Sequence, residues 1–186
     1  PAFISLLVFR LMFNGIGPIN NMLVNFGIER IPFFTDPILA KISVLAINTW
    51  VGAPYFMVLL SGSLTNISST LYEAAEIDGA TKMQQFKHIT LPMLLFQTAP
   101  VLILSFAYNF NNFGAIYLLT DGNPVNSNLK FAGETDILVT WLYKLTVNQQ
   151  QFGMAAVISI VLFAFIATVS LYNFRKSKSF TEEDMI

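Results

Sequence analysis

The sequence predicts an all-α integral membrane protein, and three observations predict it. Of the 186 residues, 54% are hydrophobic and only 11% are charged, whereas soluble domains carry about 25% charged residues. Long apolar stretches recur along the chain. Polar linkers with turn signals such as GIGPINN and TDGNPVNSN separate them. A soluble globular domain is therefore excluded as the fold class.

Composition also excludes several classes of function. The formal net charge of −1 provides no basic field that would attract a nucleic-acid backbone. The chain has no cysteine and a single histidine, so disulfides, thiolate metal sites and histidine-pair metal sites are excluded. We therefore expect no nucleic-acid partner and no metal centre.

Three stretches are long enough to cross a bilayer, which requires about 20 mostly apolar residues per helix. They are residues 38–60, 91–119 and 152–174, and the last of them carries no charge. Residues 1–13 are apolar but too short. They are counted as the first span, so that residues 38–60, 91–119 and 152–174 are the second, third and fourth spans. We expect residues 1–13 to be the end of a span whose beginning lies outside this sequence, so that the chain is part of a longer protein that has further N-terminal spans.

The linkers alternate between the two sides of the membrane, because each span reverses the side. Residues 14–37 and 120–151 then share one side, and residues 62–92 lie opposite with the tail after residue 174. Lysine and arginine favour the cytoplasmic side, and three basic residues follow residue 174 within four positions. This places the middle linker and the tail in the cytoplasm. The cations on the predicted cytoplasmic side are Lys82, Lys87, Arg175, Lys176 and Lys178. Those on the opposite side are Arg30, Lys41, Lys130 and Lys144.

Within the third linker, residues 120–151, the stretch GETDILVTWLYKLTVN predicts a short helix. Thr135 or Asp136 would cap it, and the helix would lie at the outer membrane surface. No function is assigned to it.

The middle linker, residues 62–92, predicts a helix, a bend and a second helix. Thr70 and Glu73 fit a capping box that starts a helix near Leu71. Gly79 ends this helix, because glycine adopts the left-handed conformation that closes a helix.

The second helix of the middle linker begins with Thr81 and Gln84, which form another capping box, and it stops or kinks at Pro92. Such a linker either covers the membrane surface of the helical bundle or docks another protein. The mixture of small, aromatic and acidic residues on the first helix favours docking.

At these residues the chain resembles the membrane subunits of binding-protein-dependent ABC importers. Their signature is matched by Glu73, Ala74, Ala75, Gly79, Ile89, Leu91 and Pro92, at the same spacing. The resemblance implies the type I importer permease fold, a MetI-like helical bundle, over residues 1–186. It also implies that the middle linker is a coupling helix that inserts into a cytoplasmic ATPase subunit. The coupling residues would be Glu73, Ala74, Ala75, Asp78 and Gly79.

A stripe of polar side chains runs along the third span. It is formed by Ser105, Tyr108, Asn109 and Asn112, spaced i, i+3, i+4 and i+7 and therefore on one helical face. Such a face is costly against lipid and is expected to line the bundle interior or a watery cavity. Asparagine amides and a tyrosine suit a neutral, hydrogen-bonding ligand. Helix-to-helix hydrogen bonding and an interfacial aromatic belt are the alternatives.

The second span carries Trp50 and Tyr55 around Gly52 and Pro54, a combination that breaks or kinks a membrane helix beside a cavity. Aromatic rings and amides at one depth suit a sugar.

Over essentially all 186 residues the chain resembles the C-terminal half of the larger membrane subunit of maltose and maltodextrin importers. Stretches that carry the resemblance include NTWVGAPY and SFAYNFNNFGAIYLLTDGNP. The resemblance implies a transmembrane sugar site, although Val51 stands where better-known members have a larger aliphatic residue. The site residues would be Gly52, Tyr55, Ser105, Tyr108, Asn109 and Asn112.

The expected function is ATP-driven import of maltose or maltodextrin across the bacterial cytoplasmic membrane. The chain lacks a GxxxxGK[ST] loop, so it is not expected to be an enzyme, and ATP would bind to a separate subunit. Implied partners are cytoplasmic ATPase subunits, a second homologous permease subunit and an extracytoplasmic sugar-binding protein.

Two alternatives stay open: a permease for another neutral sugar or solute, and a membrane scaffold protein that does not transport. A glycerol-phosphate substrate would require a cation along the cavity, and none of the six site candidates is charged. Arg10 in the first apolar stretch would snorkel, pair or line the path.

Overall fold

A computed structural model describes residues 1–176 of the chain, which form nine α-helices with short connections. Lys178 and the rest of the tail, for which a cytoplasmic location is predicted, lie outside the described residues. The helices are α1 (Ala2–Met12), α2 (Pro18–Asn25), α3 (Pro37–Thr65), α4 (Ser69–Ile77), α5 (Lys82–Gln85), α6 (Leu91–Phe110), α7 (Phe113–Leu119), α8 (Leu138–Tyr143) and α9 (Phe152–Lys176). Two π-helical turns, Phe86–Thr90 and Lys144–Asn148, follow α5 and α8.

Within residues 1–176, three helical stretches are long and apolar enough to cross a membrane: Pro37–Thr65, Lys82–Phe110 and Phe152–Arg175. Each overlaps one of the three predicted full spans. The helix α1 is apolar but has only 11 residues, as expected for residues 1–13. The helix α3 continues through Gly52 and Pro54, so these residues do not break it, and a kink there stays a prediction.

The third span begins and ends earlier than predicted, since the helical stretch runs from Lys82 to Phe110. The sequence predicts one helix over residues 91–119, but α6 ends at Phe110 and α7 begins separately at Phe113. The reason is Asn112, whose side-chain oxygen accepts a hydrogen bond from the Ala115 N–H at 3.2 Å. An asparagine that caps a new helix competes with continuation of the old one.

The described chain divides into two compact units, and the first consists of Pro1–Gly52 and Phe110–Phe165. In it, α1 packs against α7. The core of this unit consists of Leu6, Val44, Ile47, Ile116 and Leu119. Leu119 is 1% exposed, and such close packing stabilises helix contacts in a membrane protein through van der Waals attraction.

Arg10, on α1, also contacts α7. Its Nη1 donates a hydrogen bond to the Leu118 carbonyl at 3.2 Å. The last carbonyls of a helix lack intrahelical partners, and the negative end of the helix dipole favours a cation there. Of the three roles expected for Arg10, the structure therefore shows pairing.

The second unit consists of Ala53–Asn109 and the chain from Ile166 onward. It contains the two helices of the middle linker. The Tyr72 hydroxyl hydrogen-bonds the Thr90 hydroxyl at 2.8 Å, which joins α4 to the π-helical turn that leads into α6.

Candidate functional site

The first helix of the middle linker begins earlier than the sequence predicts. Its N-cap is Ser68, whose hydroxyl accepts from the Thr70 N–H at 3.4 Å, and the helix starts at Ser69. The predicted box of Thr70 and Glu73 is therefore wrong. Ser68 has extended backbone, which places its hydroxyl over the first turn, whereas Thr70 is already helical.

This helix ends at the predicted glycine. Gly79 has φ +79, in the left-handed region that glycine adopts without a steric penalty. The Ala80 N–H bonds the Ala75 carbonyl at 2.8 Å, and the Gly79 N–H bonds the Glu76 carbonyl at 3.0 Å. This pair of bonds defines a Schellman closure, so the prediction of a bend at Gly79 is confirmed.

The second helix of the middle linker starts as predicted. The Gln84 N–H donates to the Thr81 hydroxyl, and the Thr81 N–H donates to Gln84 Oε1 at 2.8 Å. Pro92 does not stop the helix, so of the two predicted outcomes the stop is wrong and the kink stays a prediction. The chain forms the π-helical turn Phe86–Thr90 and continues as α6. Proline clashes with the carbonyl four residues earlier; for Pro92 that carbonyl is on His88, inside the π-helical turn, where the backbone register is already shifted.

The bend presents most of the predicted coupling residues to solvent. Glu73, Ala74, Asp78 and Gly79 are exposed, while Ala75 is half-buried. Ile77 belongs to the mixture of residues on this helix that favours docking, and it is 87% exposed at the end of α4. An isoleucine this exposed beside a fixed bend forms an apolar projection that a partner protein can bury.

An ion pair bridges the bend between Glu76 and Lys82. The hydrogen bond from Lys82 and its positive charge hold the pKa of Glu76 below its ordinary value. Because the pKa of Glu76 is lowered in the folded protein, any contribution of this ion pair to folding stability is present above pH 4.5, the ordinary pKa of the carboxyl group. It is lost as the pH falls through the lowered pKa. The Glu76 carboxylate is therefore ionised near neutral pH.

Three of the polar stripe residues lie on α6. Asn109 Nδ2 donates to the Ser105 carbonyl at 2.9 Å, and Tyr108 is 70% exposed. Their spacing on one helical face is as predicted, because α6 is continuous through them. On α3, Tyr55 is 58% exposed.

Asn112 is not on that helix, which corrects the predicted four-residue face. As the N-cap of α7, it also donates from Nδ2 to Asn48 Oδ1 at 3.0 Å. Sequence reasoning missed Asn48. The signal was available, because Asn48, Gly52 and Tyr55 are spaced i, i+4 and i+7 along α3, the same periodicity that identified the stripe on the third span.

The six predicted pocket residues are divided between the two units. Gly52 and Asn112 belong to the first unit, and the second holds Tyr55, Ser105, Tyr108 and Asn109. A Cβ atom at Gly52 would meet nothing within 4 Å, so space is open beside this residue. That the six residues form one pocket stays a prediction.

The third linker, residues 120–151, contains a buried ion pair. Lys144 Nζ lies 2.7 Å from Asp136 Oδ2, and the two side chains are 16% and 2% exposed. The Gly133 N–H donates to the same carboxylate oxygen at 2.7 Å. Asp136 therefore does not cap the predicted helix, since its carboxylate binds the Gly133 N–H and the Lys144 ammonium.

Thr135 is not the cap either. Its hydroxyl is 2.7 Å from the Thr120 hydroxyl and donates to the Asn123 carbonyl at 2.7 Å. The helix α8 starts at Leu138 instead, and the Ile137 N–H donates to the Thr140 hydroxyl at 3.0 Å.

A second ion pair attaches the third linker to α3. Lys41 on α3 pairs with Glu134, and Asn126 Nδ2 donates to the other oxygen of that carboxylate at 2.7 Å. Lys41 thus attaches the linker to α3, and Lys144 forms an ion pair within the linker.

Comparison with known proteins identifies the class to which this fold and these sites belong. Residues 1–178 match the family described as binding-protein-dependent transport system inner membrane component. The chain belongs to this family, and it is an integral membrane protein with the helical permease fold of ABC importers.

Individual relatives make the likeness more specific. The chain is 41% identical to the galactooligosaccharides transport system permease protein GanP and 43% identical to the maltodextrin transport system permease protein MdxF, both of Bacillus subtilis. It is 45% identical to the maltose/maltodextrin transport system permease protein MalF of Vibrio vulnificus. The matches cover 98%, 100% and 96% of the chain but only 44%, 45% and 35% of these relatives.

A solved structure shares the fold. The crystal structure of a bacterial ABC transporter involved in the import of the acidic polysaccharide alginate superimposes with a TM-score of 0.79 at 25% identity, covering 98% of this chain and 62% of that one. A second structure is of a bacterial alginate transporter in complex with a pentasaccharide-bound periplasmic protein, with a TM-score of 0.77.

Proposed function

We propose that the chain is the translocation-pathway part of a membrane subunit in an ABC importer for maltose or maltodextrins. Membership in the family of transport system inner membrane components supports the transport role. The relatives named as maltodextrin and maltose/maltodextrin permeases, at 43% and 45% identity, support the substrate. A separate ATPase would hydrolyse ATP, a second permease subunit would complete the pathway, and an extracytoplasmic binding protein would deliver the sugar.

A different oligosaccharide is the second candidate substrate. The galactooligosaccharide permease, at 41% identity, favours it. An acidic polysaccharide such as alginate fits less well, because the six candidate pocket residues carry no positive charge, and a buried anion requires a charged or hydrogen-bonded partner. Membership in a transport family also favours transport over the alternative of a scaffold that does not transport.

The bend at Gly79 would transmit the conformational change of the ATPase. Its Schellman closure and capping box satisfy the backbone on both sides of the glycine, so the two helices hold a defined angle. The exposed Ile77 and Ala74 supply apolar contact area, and Glu73 supplies a charge. Because the chain runs without a loop from α5 through the π-helical turn into α6, displacement of the bend would move the third span with it.

Replacing Gly79 by valine tests the coupling role. A non-glycine residue in left-handed geometry costs about 1–2 kcal/mol, a change of roughly 5–30-fold in a conformational equilibrium. We expect sugar uptake and binding-protein-stimulated ATP hydrolysis to fall by about that factor in the reconstituted complex. Gly79→Asn is the matched control, since asparagine tolerates this conformation, and it should retain most activity.

Charge reversal at Glu73 provides an independent measure of the same role. Glu73→Lys should uncouple uptake from ATP hydrolysis, whereas Glu29→Lys, at an exposed carboxylate of the first linker, should not. Normal uptake in assembled complexes that carry Glu73→Lys would disprove the coupling role.

The polar face of α6 would bind the sugar during transport. Ser105 and Asn109 present hydrogen-bonding groups, and the exposed ring of Tyr108 offers an apolar surface for a pyranose face. Asn48 joins these candidates through its hydrogen bond to Asn112.

Truncation of Asn109 to alanine tests this pocket. Loss of a hydrogen bond costs about 0.5–1.5 kcal/mol, so the apparent affinity for sugar should weaken roughly 2- to 10-fold, with complex assembly unchanged. Leu104→Ala is the control, because Leu104 is 70% exposed on the same helix but outside the polar stripe. Uptake kinetics that are the same for both variants would assign Asn109 to helix packing.

A further inference from the structure

An apolar groove lies beside the third linker in the first unit. It has a volume of about 370 Å³, within the range of roughly 300–1,000 Å³ found for small-molecule sites. Leu129, Leu138 and Met154 contribute apolar walls. Trp141 also lines it, and its indole N–H donates to the Lys130 carbonyl at 3.0 Å. This bond holds the linker against α8 and so forms the groove.

The position of the groove relates it to the membrane. Met154 is in the first turn of α9, which is one of the helices long and apolar enough to span a bilayer. The end of a spanning helix lies at the level of the lipid headgroups, where tryptophan is enriched. Val157 follows Met154 by three positions and therefore lies on the same face of α9; it is 61% exposed. The groove thus lies next to an exposed apolar residue of a spanning helix.

The charge of the groove indicates which lipid it suits. Its charged lining residues are Lys130 and Asp136. The Asp136 carboxylate is neutralised by Lys144 at 2.7 Å and is 2% exposed. Lys130 is exposed at the rim, with its ammonium 5.6 Å from the centre of the Phe131 ring. The groove thus combines an apolar interior with a net positive charge at its mouth.

We infer that this groove binds an anionic phospholipid, with an acyl chain between Trp141 and Met154 and the headgroup phosphate on Lys130. A lysine ammonium binds a phosphate by charge attraction and hydrogen bonding, and the acyl chain gains from burial in an apolar site. The inference depends on the membrane spans and not on the identity of the transported sugar.

Fluorescence quenching in vesicles tests this inference. The complete transporter is reconstituted with lipids brominated on the acyl chain, either anionic phosphatidylglycerol or zwitterionic phosphatidylcholine at equal mole fraction. The signal of Trp141 is the difference between the parent and Trp141→Phe. We expect the anionic lipid to quench this signal at least two-fold more strongly than the zwitterionic lipid.

Two cation variants make the test specific. Lys130→Gln should remove the preference for the anionic lipid. Arg30→Gln should keep it, because Arg30 is an exposed cation of the same unit that does not line the groove. Equal quenching by both lipids would overturn the anionic site, and absence of quenching by either would show that protein covers the groove. Native mass spectrometry gives a second readout: the Arg30→Gln complex should retain one more anionic lipid than Lys130→Gln, and equal retention would contradict the inference.

Discussion

Replacement of Asp136 by alanine should destabilise the first unit by about 3–5 kcal/mol, the usual cost of breaking a buried ion pair by removing one partner. The cost arises because the Lys144 ammonium, 16% exposed, is left without its counter-charge. The Gly133 N–H also loses its acceptor. The measurement is the midpoint of thermal inactivation of the purified complex, together with the rate of proteolysis in the third linker.

Two controls separate this effect from a general sensitivity of the linker. Lys41→Met removes the pair with Glu134, whose side chains are 50% and 20% exposed, and partly exposed pairs contribute only about 0–1 kcal/mol. The double variant Asp136→Leu/Lys144→Met replaces the buried pair by apolar groups and should recover much of the loss. Equal destabilisation by Lys41→Met and Asp136→Ala would contradict this account of the ion pair.

Replacement of Gly122 by alanine is the second change with a large expected effect. The new Cβ atom would lie 1.9 Å from Asp136 Oδ1 and 2.4 Å from Lys144 Nζ, and the backbone has φ +76. Backbone strain of about 1–2 kcal/mol is therefore added to displacement of the ion pair. We expect a loss of about 3 kcal/mol or more, seen as a lower inactivation midpoint and faster cleavage of the third linker.

Other glycines of the chain provide matched controls for Gly122. Gly79 has nearly the same φ, +79, but nothing lies within 4 Å of its Cβ position, so Gly79→Ala should show the strain alone. Gly114 lies inside α7 with open space around it, and Gly114→Ala should be neutral or stabilising by about 0.5–1 kcal/mol. Similar losses from Gly122→Ala and Gly79→Ala would mean that the ion pair moves aside without cost.

The spans and the bend were predictable because both depend on local chemistry. A helix in lipid must satisfy its backbone within itself, so the length of an apolar stretch is sufficient to locate it, as with α3 and α9. Gly79 and Thr81 act through hydrogen bonds to residues within a few positions. Their effect on the chain can therefore be inferred from the order of residues alone.

The predictions of helix ends were wrong where two local hydrogen-bonding arrangements compete. Ser68 and Thr70 are both plausible caps, and the sequence does not distinguish them because each has a hydroxyl near the same helix start. The break between α6 and α7 was missed for a related reason. The apolar residues on both sides of Asn112 match one long span, and only the bonds from Asn112 to Ala115 and Asn48 show that a new helix begins.

The sequence by itself determined the membrane class of this protein, its three full spans, and the polar linker that carries the importer signature. Each of these depends on residues that are neighbours along the chain. The tertiary structure alone decided that Asp136 forms a buried ion pair instead of capping a helix, that Asn112 pairs with Asn48, and that Arg10 binds the end of α7. Asn48 and Arg10 lie 64 and 108 positions from their partners, and folding, not residue order, brings such groups within hydrogen-bonding distance.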